Sequence, residues 1–161
     1  MYITFEEYTE FYEPMEERLF CRLAYEACRI MDNHTTGIGN VKKLQKYFPQ
    51  DPYNAKAVKF CAAKIIDILF QIQEVEASSS AGRGYTETEN GMQRKVISAI
   101  QSGSESITFS EAKATNTTID VAAADKKERD RLIAGIIRES LSGVTDANGV
   151  NLLYMGVYPR V

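Results

Sequence analysis

The sequence predicts a mainly α protein: a small helical bundle around one long central helix, with a β-hairpin or loop insertion and an extended C-terminal arm. Three observations predict this class. A long apolar helix spans residues 51–77, amphipathic helices flank it on both sides, and the composition between them turns β-prone and rich in Ser and Gly. We assign residues 1–143 to one helical domain, with the insertion at about 78–118, and residues 144–161 to the arm.

The central helix has a strong start signal and little polar surface. Asp51 is a good N-cap, Pro52 suits the first helical position, and neither Gly nor Pro follows before Ala77. Between Phe60 and Ile72 the polar residues fall on one narrow stripe: Lys64, Asp67 and Gln71. A helix that is apolar on most sides has to be covered. We therefore predict that it is the buried axis of the bundle, with the stripe left for water or a neighbour.

The N-terminal third predicts two shorter helices. Thr4 and Glu7 form a capping box, and the aromatic face that follows, to about Tyr12, is assigned to the core. A second helix is expected from Pro14 to about Asp32. Its apolar stripe is Leu19, Phe20, Leu23, Ala27, Ile30 and Met31.

The second half predicts a hairpin and a last helix. The runs Val96–Ile100 and Ile107–Phe109 flank a Ser-Gly turn, a pattern typical of a β-hairpin. Residues 78–91 are expected to form a loop. The last helix should begin near Asp120 or Asp125 and end at Gly143, with Gly135 at a close helix contact.

Composition excludes several classes of function. A net charge of −3 and a pI near 5.3 give no support for a nucleic-acid-binding domain. His34 is the only histidine, so no HExxH site can form, and neither a zinc-type CxxC pair nor a G-x-S-x-G elbow occurs. No apolar run is long enough for a membrane span. We predict no catalytic, cofactor-binding or metal-binding residues. The three cysteines are expected to be reduced and buried: Cys21, Cys28 and Cys61.

The C-terminal residues are unusually apolar for a terminal segment. They are the candidate partner-binding residues Leu152, Leu153, Tyr154, Met155, Gly156 and Val157. Terminal segments are usually polar and frayed. Two outcomes stay open, since such a segment can pair with the edge of another subunit or fold back on its own domain.

Several segments together resemble the head–tail connector (adaptor) proteins of long-tailed bacteriophages and prophages. The likeness depends on the order and spacing of segments across most of the chain. Those segments are Phe20-x-Arg22-Leu23-Ala24-Tyr25-x-Ala27-x-Arg29-Ile30-x-Asp32 closing on Thr35-Thr36-Gly37, then Ile68–Ile72, Ser104-Glu105-Ser106 leading into Ile107–Phe109, Leu141-Ser142-Gly143, and Leu152–Val157.

The resemblance implies a structural virion protein rather than an enzyme. Such proteins form a ring under the portal protein, expected to be a dodecamer in the virion. The ring extends the DNA channel, through which DNA passes as cargo, and docks the stopper or tail-completion protein. It implies location at the head–tail junction, with assembly in the host cytoplasm. It also adds Ile107 and Phe109 to the candidate partner-binding residues.

Two alternatives are weighed against it. The first is an all-α nucleic-acid-binding regulator of a phage or bacterium, based on Arg18, Arg22, Arg29, Lys42, Lys43 and Lys46, although acidic neighbours dilute these charges. The second is an enzyme using acids such as Glu26 and Asp67. It is disfavoured because nothing in the sequence brings two carboxylates to a shared pocket.

Overall fold

A computed structural model describes residues 1–81, 85–88, 91–101, 106–111 and 117–159, with side-chain surroundings for 1–77 and 117–159. The helices are α1 (Phe5–Thr9), α2 (Glu17–Thr35), α3 (Lys43–Lys46), α4 (Pro52–Ala81), α5 (Thr118–Ala124) and α6 (Lys126–Ser140). The strands are β1 (Tyr85–Thr88), β2 (Gly91–Gln101) and β3 (Ser106–Glu111). The mainly helical class is confirmed.

Helix α4 is the buried axis of the bundle, as predicted. It packs against α2, α5 and α6. Its middle contributes a continuous set of buried side chains: Cys61, Ala62, Ala63, Ile65, Ile66, Leu69 and Ile72. At its start Asp51 accepts a hydrogen bond from the backbone N–H of Asn54 at 2.9 Å, which satisfies one of the unpaired donors of the first turn.

The C-terminal end of α4 corrects the prediction. The helix continues through Ser78, Ser79 and Ser80 to Ala81, where a loop from residue 78 was expected. Strand β1 also lies inside the predicted loop. Serine has only a modest intrinsic cost within a helix, and the long helix that precedes it supplies the nucleus.

Helix α2 lies three residues later than predicted at both ends. Asp32, the expected end, is buried inside the helix, where it accepts hydrogen bonds from the Tyr2 hydroxyl and the Gln45 amide. The helix ends where Thr35 and Thr36 turn their hydroxyls back onto backbone carbonyls of the last turn. Cys21 of this helix is exposed, so its predicted burial is wrong.

The aromatic face of α1 packs into the core, as predicted. The Thr4–Glu7 capping box is present. Tyr8 is buried. The ring centroid of Phe20 in α2 lies 5.3 Å from that of Phe5 and 5.4 Å from that of Tyr8. These contacts close the N-terminal side of the bundle around α4.

The single last helix predicted from the sequence is two helices. Thr117 caps α5 with Asp120 as its capping-box partner, so this helix begins two residues before the predicted Asp120. Asp125 caps α6, as predicted. On this last helical stretch Ile133, Ile136, Ile137 and Leu141 are buried in the core, whereas Leu132 and Ser140 on the same face are half-buried. Gly135 is exposed, and a Cβ added to it would have no neighbour within 4 Å, so the predicted close contact is wrong.

The three strands form an antiparallel sheet in the order β1-β2-β3. Ile97 lies opposite Phe109 and Ile100 opposite Ile107, with an irregularity between Ile97 and Ala99. The predicted Ser-Gly turn between β2 and β3 lies outside the described residues.

Candidate interaction surface

The C-terminal segment, residues 144–159, folds back onto its own domain. Val144 and Leu152 are both buried in the bundle core, and the backbone N–H of Leu152 donates to the carbonyl of Val144 at 3.0 Å. Of the two outcomes left open by the sequence, the structure shows the second. The prediction of an extended arm is not confirmed.

A buried lysine holds this segment in place. Lys43 of α3 has no exposed surface, and its ammonium donates to the carbonyls of Asn151 at 3.2 Å, Leu152 at 2.8 Å and Tyr154. Three acceptors match the three N–H donors of an ammonium. We call Lys43 and these three carbonyls the lysine clasp. Burial lowers the pKa of Lys43, and the nearby charge of Asp146 acts in the opposite direction.

A turn centred on Asp146 stabilises the start of the segment. Its carboxylate accepts from the backbone N–H groups of Asn148 and Val150, each at 2.9 Å, and from the Tyr158 hydroxyl at 2.6 Å. The Tyr158 ring stacks on Tyr47 with centroids 4.9 Å apart. Burial raises the pKa of Tyr158 to about 12, and the hydrogen bond to Asp146 acts in the same direction.

The distal part of the segment crosses the connection between α2 and α3. Ile38 forms a parallel bridge with Val157, and its backbone N–H donates to the Met155 carbonyl at 3.2 Å. A Cβ added at Gly37 would lie 2.8 Å from the carbonyl oxygen of Gly156. Only a glycine at this position lets the two backbones approach so closely.

This crossing leaves an exposed cluster of large apolar side chains, which we call the apolar edge. Its members are Ile38, Tyr154, Met155 and Val157, with exposed fractions of 64%, 48%, 54% and 68%. Single exposed apolar residues are ordinary, but several on adjoining backbone segments are typical of an interaction site.

The predicted partner-binding residues divide into four groups. Tyr154, Met155 and Val157 are exposed, whereas Leu153 and Gly156 are half-buried. Leu152 is fully buried in the core, so the structure contradicts its assignment to a partner surface. Its burial follows from the backbone bond to Val144. Ile107 and Phe109 lie in β3, and their side chains are outside the described part.

Sequence reasoning missed the clasp and one member of the apolar edge. The sequence groups Lys43 with Lys42 and Lys46 among the basic residues of the nucleic-acid alternative, and it gives Ile38 no role. The available signal was the Asp146-Ala-Asn-Gly turn, which showed that the chain reverses before Leu152.

The structure also bears on the residues named for the two alternative functions, the nucleic-acid-binding regulator and the enzyme. Lys43 is buried and therefore does not belong to the exposed basic residues on which the nucleic-acid alternative depends. Arg22, another of those residues, donates to the Gln73 side chain at 2.8 Å. Asp67 accepts a hydrogen bond from the Gln71 side chain at 2.7 Å. Burial raises the pKa of Asp67, and this hydrogen bond offsets only part of the increase. In the described ranges, no group of three His, Cys, Asp or Glu residues could hold a metal ion. No helix among those residues is long and apolar enough to cross a membrane.

Comparison of the chain with protein families, with curated proteins and with solved structures finds no match.

Proposed function

We propose that this protein is a structural head–tail connector (adaptor) of a long-tailed phage or prophage. It forms a ring under the portal protein, extends the DNA channel and docks the stopper or tail-completion protein. Its place is the head–tail junction of the virion, reached by assembly in the host cytoplasm.

The observation that carries this proposal is the apolar edge. Ile38, Met155 and Val157 present apolar surface on backbone that the lysine clasp and the Gly37 crossing hold in one position. A rigid apolar surface loses little conformational entropy on binding, which favours a stable protein–protein contact. Three of its four members, Tyr154, Met155 and Val157, also lie in the C-terminal segment that carries part of the resemblance to connector proteins.

Two further elements of the proposal concern assembly. The predicted hairpin of the insertion, whose strands are β2 and β3, is proposed to contact a neighbouring subunit or the portal. The C-terminal segment is proposed to contribute its exposed side rather than to extend as a free arm. These assignments make Val157 a better point for testing than Leu152, whose substitution would unfold the core.

The test is a single charged substitution in the apolar edge. Val157→Glu is compared with the wild-type chain and with Tyr53→Glu, a control at an 81% exposed aromatic residue in the first turn of α4. Sedimentation velocity measures self-association across protein concentration. Co-sedimentation with the portal protein encoded by the same genome measures docking. We expect Val157→Glu to weaken ring formation or portal binding by about tenfold or more, and Tyr53→Glu to leave both unchanged.

The proposal is overturned if the wild-type chain stays monomeric at high concentration and does not bind the portal protein. Binding to duplex DNA that falls steeply as salt rises would instead favour a nucleic-acid-binding regulator.

A further inference from the structure

A groove of about 660 Å³ lies between the C-terminal half of α2 and the α3 region. Its floor is apolar: Leu44 is buried, and the Tyr2 and Phe48 rings stack with centroids 5.9 Å apart. Cys28 also lines it and is nearly fully buried. We call it the basic-rimmed groove, after the exposed Arg29 and Lys42 at its rim.

The rim of the groove carries positive charge. Arg29 and Lys42 line it and are exposed, and neither forms an ion pair with another described residue. The carboxylate of Asp32 also faces the groove, but it already accepts bonds from Tyr2 and Gln45. Tyr25, which is 72% exposed, adds an aromatic ring to the same rim. Unpaired cationic groups on the rim of a groove fit an acidic segment of a partner.

The chain itself has an acidic segment near its N-terminus. Residues 1–17 contain six glutamates and neither Lys nor Arg. In the connection between α1 and α2, which we call the acidic connection (residues 10–16), Glu10, Glu13 and Glu16 are exposed. Phe11, Tyr12 and Met15 between them are half-buried. These three side chains pack against the core of their own domain, and the Phe11 ring meets that of Phe60. The acidic connection therefore offers its carboxylates to the groove, and the two surfaces match in charge.

The groove and the acidic connection cannot meet within one chain. They adjoin opposite ends of α2, because Glu17 and Arg29 are twelve residues apart and a helix rises 1.5 Å per residue, which separates them by about 18 Å. We propose that the acidic connection of one copy docks in the basic-rimmed groove of a second copy. The two surfaces differ, so the contact is heterologous, and its repetition produces a ring or a helical filament. This inference deepens the proposed function, on which it rests, by naming a contact between subunits.

The test is a charge reversal with rescue. The groove variant is Arg29→Glu with Lys42→Glu, and the connection variant is Glu10→Lys with Glu13→Lys. A fourfold variant combines both pairs and restores the wild-type net charge. The control, Lys126→Glu with Lys127→Glu at the exposed start of α6, has the same net charge as the groove variant. Far-UV circular dichroism and thermal unfolding verify that each variant is folded.

Sedimentation velocity measures the concentration at which each variant assembles, alone and with the portal. We expect the groove and connection variants each to require about tenfold more protein or more, and the control to match wild type. The fourfold variant, and an equal mixture of the two paired variants, should recover assembly. Wild-type assembly should weaken between about 0.1 and 1 M NaCl, as the Debye length falls from about 10 to 3 Å.

The outcomes separate this inference from the proposed function. If wild type assembles and both paired variants assemble equally well, or the fourfold variant shows no rescue, the docking contact is overturned while the connector proposal stands. If the fourfold variant recovers assembly but the wild-type chain does not bind the portal protein, the docking contact stands and the connector proposal fails. A wild-type chain that associates under no condition overturns both.

Discussion

The centre of α4 and the Lys43 side chain of the lysine clasp are both fully buried, but they are stabilised by opposite kinds of interaction. Around Ile65 the core consists of apolar side chains, whose burial is favourable in any well-packed arrangement. Around Lys43 one charged amine meets three backbone carbonyls in fixed directions. The helical axis should therefore tolerate a change of shape better than a change of polarity. The clasp should tolerate neither loss of its charge nor displacement of its carbonyls.

The largest loss of stability is expected when a charge is placed in the apolar centre of α4. Ile65→Asp buries a carboxylate with no partner and should cost more than about 5 kcal/mol, enough to unfold the domain. Circular dichroism should show loss of helix. The matched change Ile65→Val removes one methyl group and should cost about 1 kcal/mol in urea denaturation. A folded Ile65→Asp protein would show that this part of α4 is not fully covered.

The next largest loss of stability is expected when the lysine clasp loses its charged amine. Lys43→Met keeps most of the side-chain volume but leaves the three carbonyls without their donor, so we expect a loss of about 2–4 kcal/mol. Urea denaturation measures the loss, and limited proteolysis should cut within residues 144–159 first. Lys42→Met, at the exposed neighbour, should change stability by less than about 0.5 kcal/mol. Equal stability of the two variants would rule out a structural role for the clasp.

Gly37 and Gly135 should respond in opposite ways to substitution by Ala. Gly37 lies where two backbone segments cross, whereas Gly135 lies on an exposed helix with open space around it. Gly37→Ala places a Cβ 2.8 Å from the Gly156 carbonyl oxygen and should cost about 1–3 kcal/mol. Gly135→Ala, in exposed helix with no neighbour, should stabilise the protein by up to about 1 kcal/mol. Thermal unfolding of both variants measures the difference. A stabilising Gly37→Ala would mean that the crossing is looser than described.

A smaller effect follows from the Tyr158–Asp146 hydrogen bond. Tyr158→Phe should cost about 1 kcal/mol at pH 7. Because the folded pKa of Tyr158 is raised to about 12 from about 10 in the unfolded chain, its contribution is present below pH 10 and is lost as the pH rises through 12. The difference in unfolding free energy between wild type and variant should therefore be smaller at pH 11 than at pH 7. A difference that grows with pH would contradict this assignment.

The smallest effect is expected on the polar stripe of α4. Lys64 lies 3.8 Å from Glu139, and the two side chains are 34% and 76% exposed. Such a pair contributes little, so Lys64→Gln should change stability by less than about 0.5 kcal/mol in urea denaturation. Glu139→Gln should behave alike. A loss above 1 kcal/mol in either variant would show that the stripe belongs to the packed core.

Local signals were sufficient for much of the fold. The caps at Thr4 and Asp51 and the apolar pattern of α4 depend on residues close in sequence, so the helices they define could be predicted. The end of α2 could not, because Asp32 is kept helical and buried by Tyr2 and Gln45, which are 30 and 13 residues away. Tertiary partners of this kind override local turn signals.

The candidate site was predicted less completely for the same reason. The exposure of Met155 and Val157 agrees with the predicted apolar segment, but the burial of Leu152 depends on where the chain turns back. The clasp joins Lys43 to carbonyls more than a hundred residues away. Nothing near Lys43 in the sequence distinguishes it from the exposed Lys42 and Lys46.

The separation within the clasp has a consequence for biosynthesis. Asn151 follows Lys43 by 108 residues, which a ribosome adds in about 5–20 s. Throughout that interval the Lys43 ammonium lacks the three acceptors that it has in the folded protein, and burying it without them would be costly. Helix α3 therefore cannot take its final place while the nascent chain is incomplete. The clasp makes closure of this domain a late event, which follows the emergence of residues 151–154 from the ribosome.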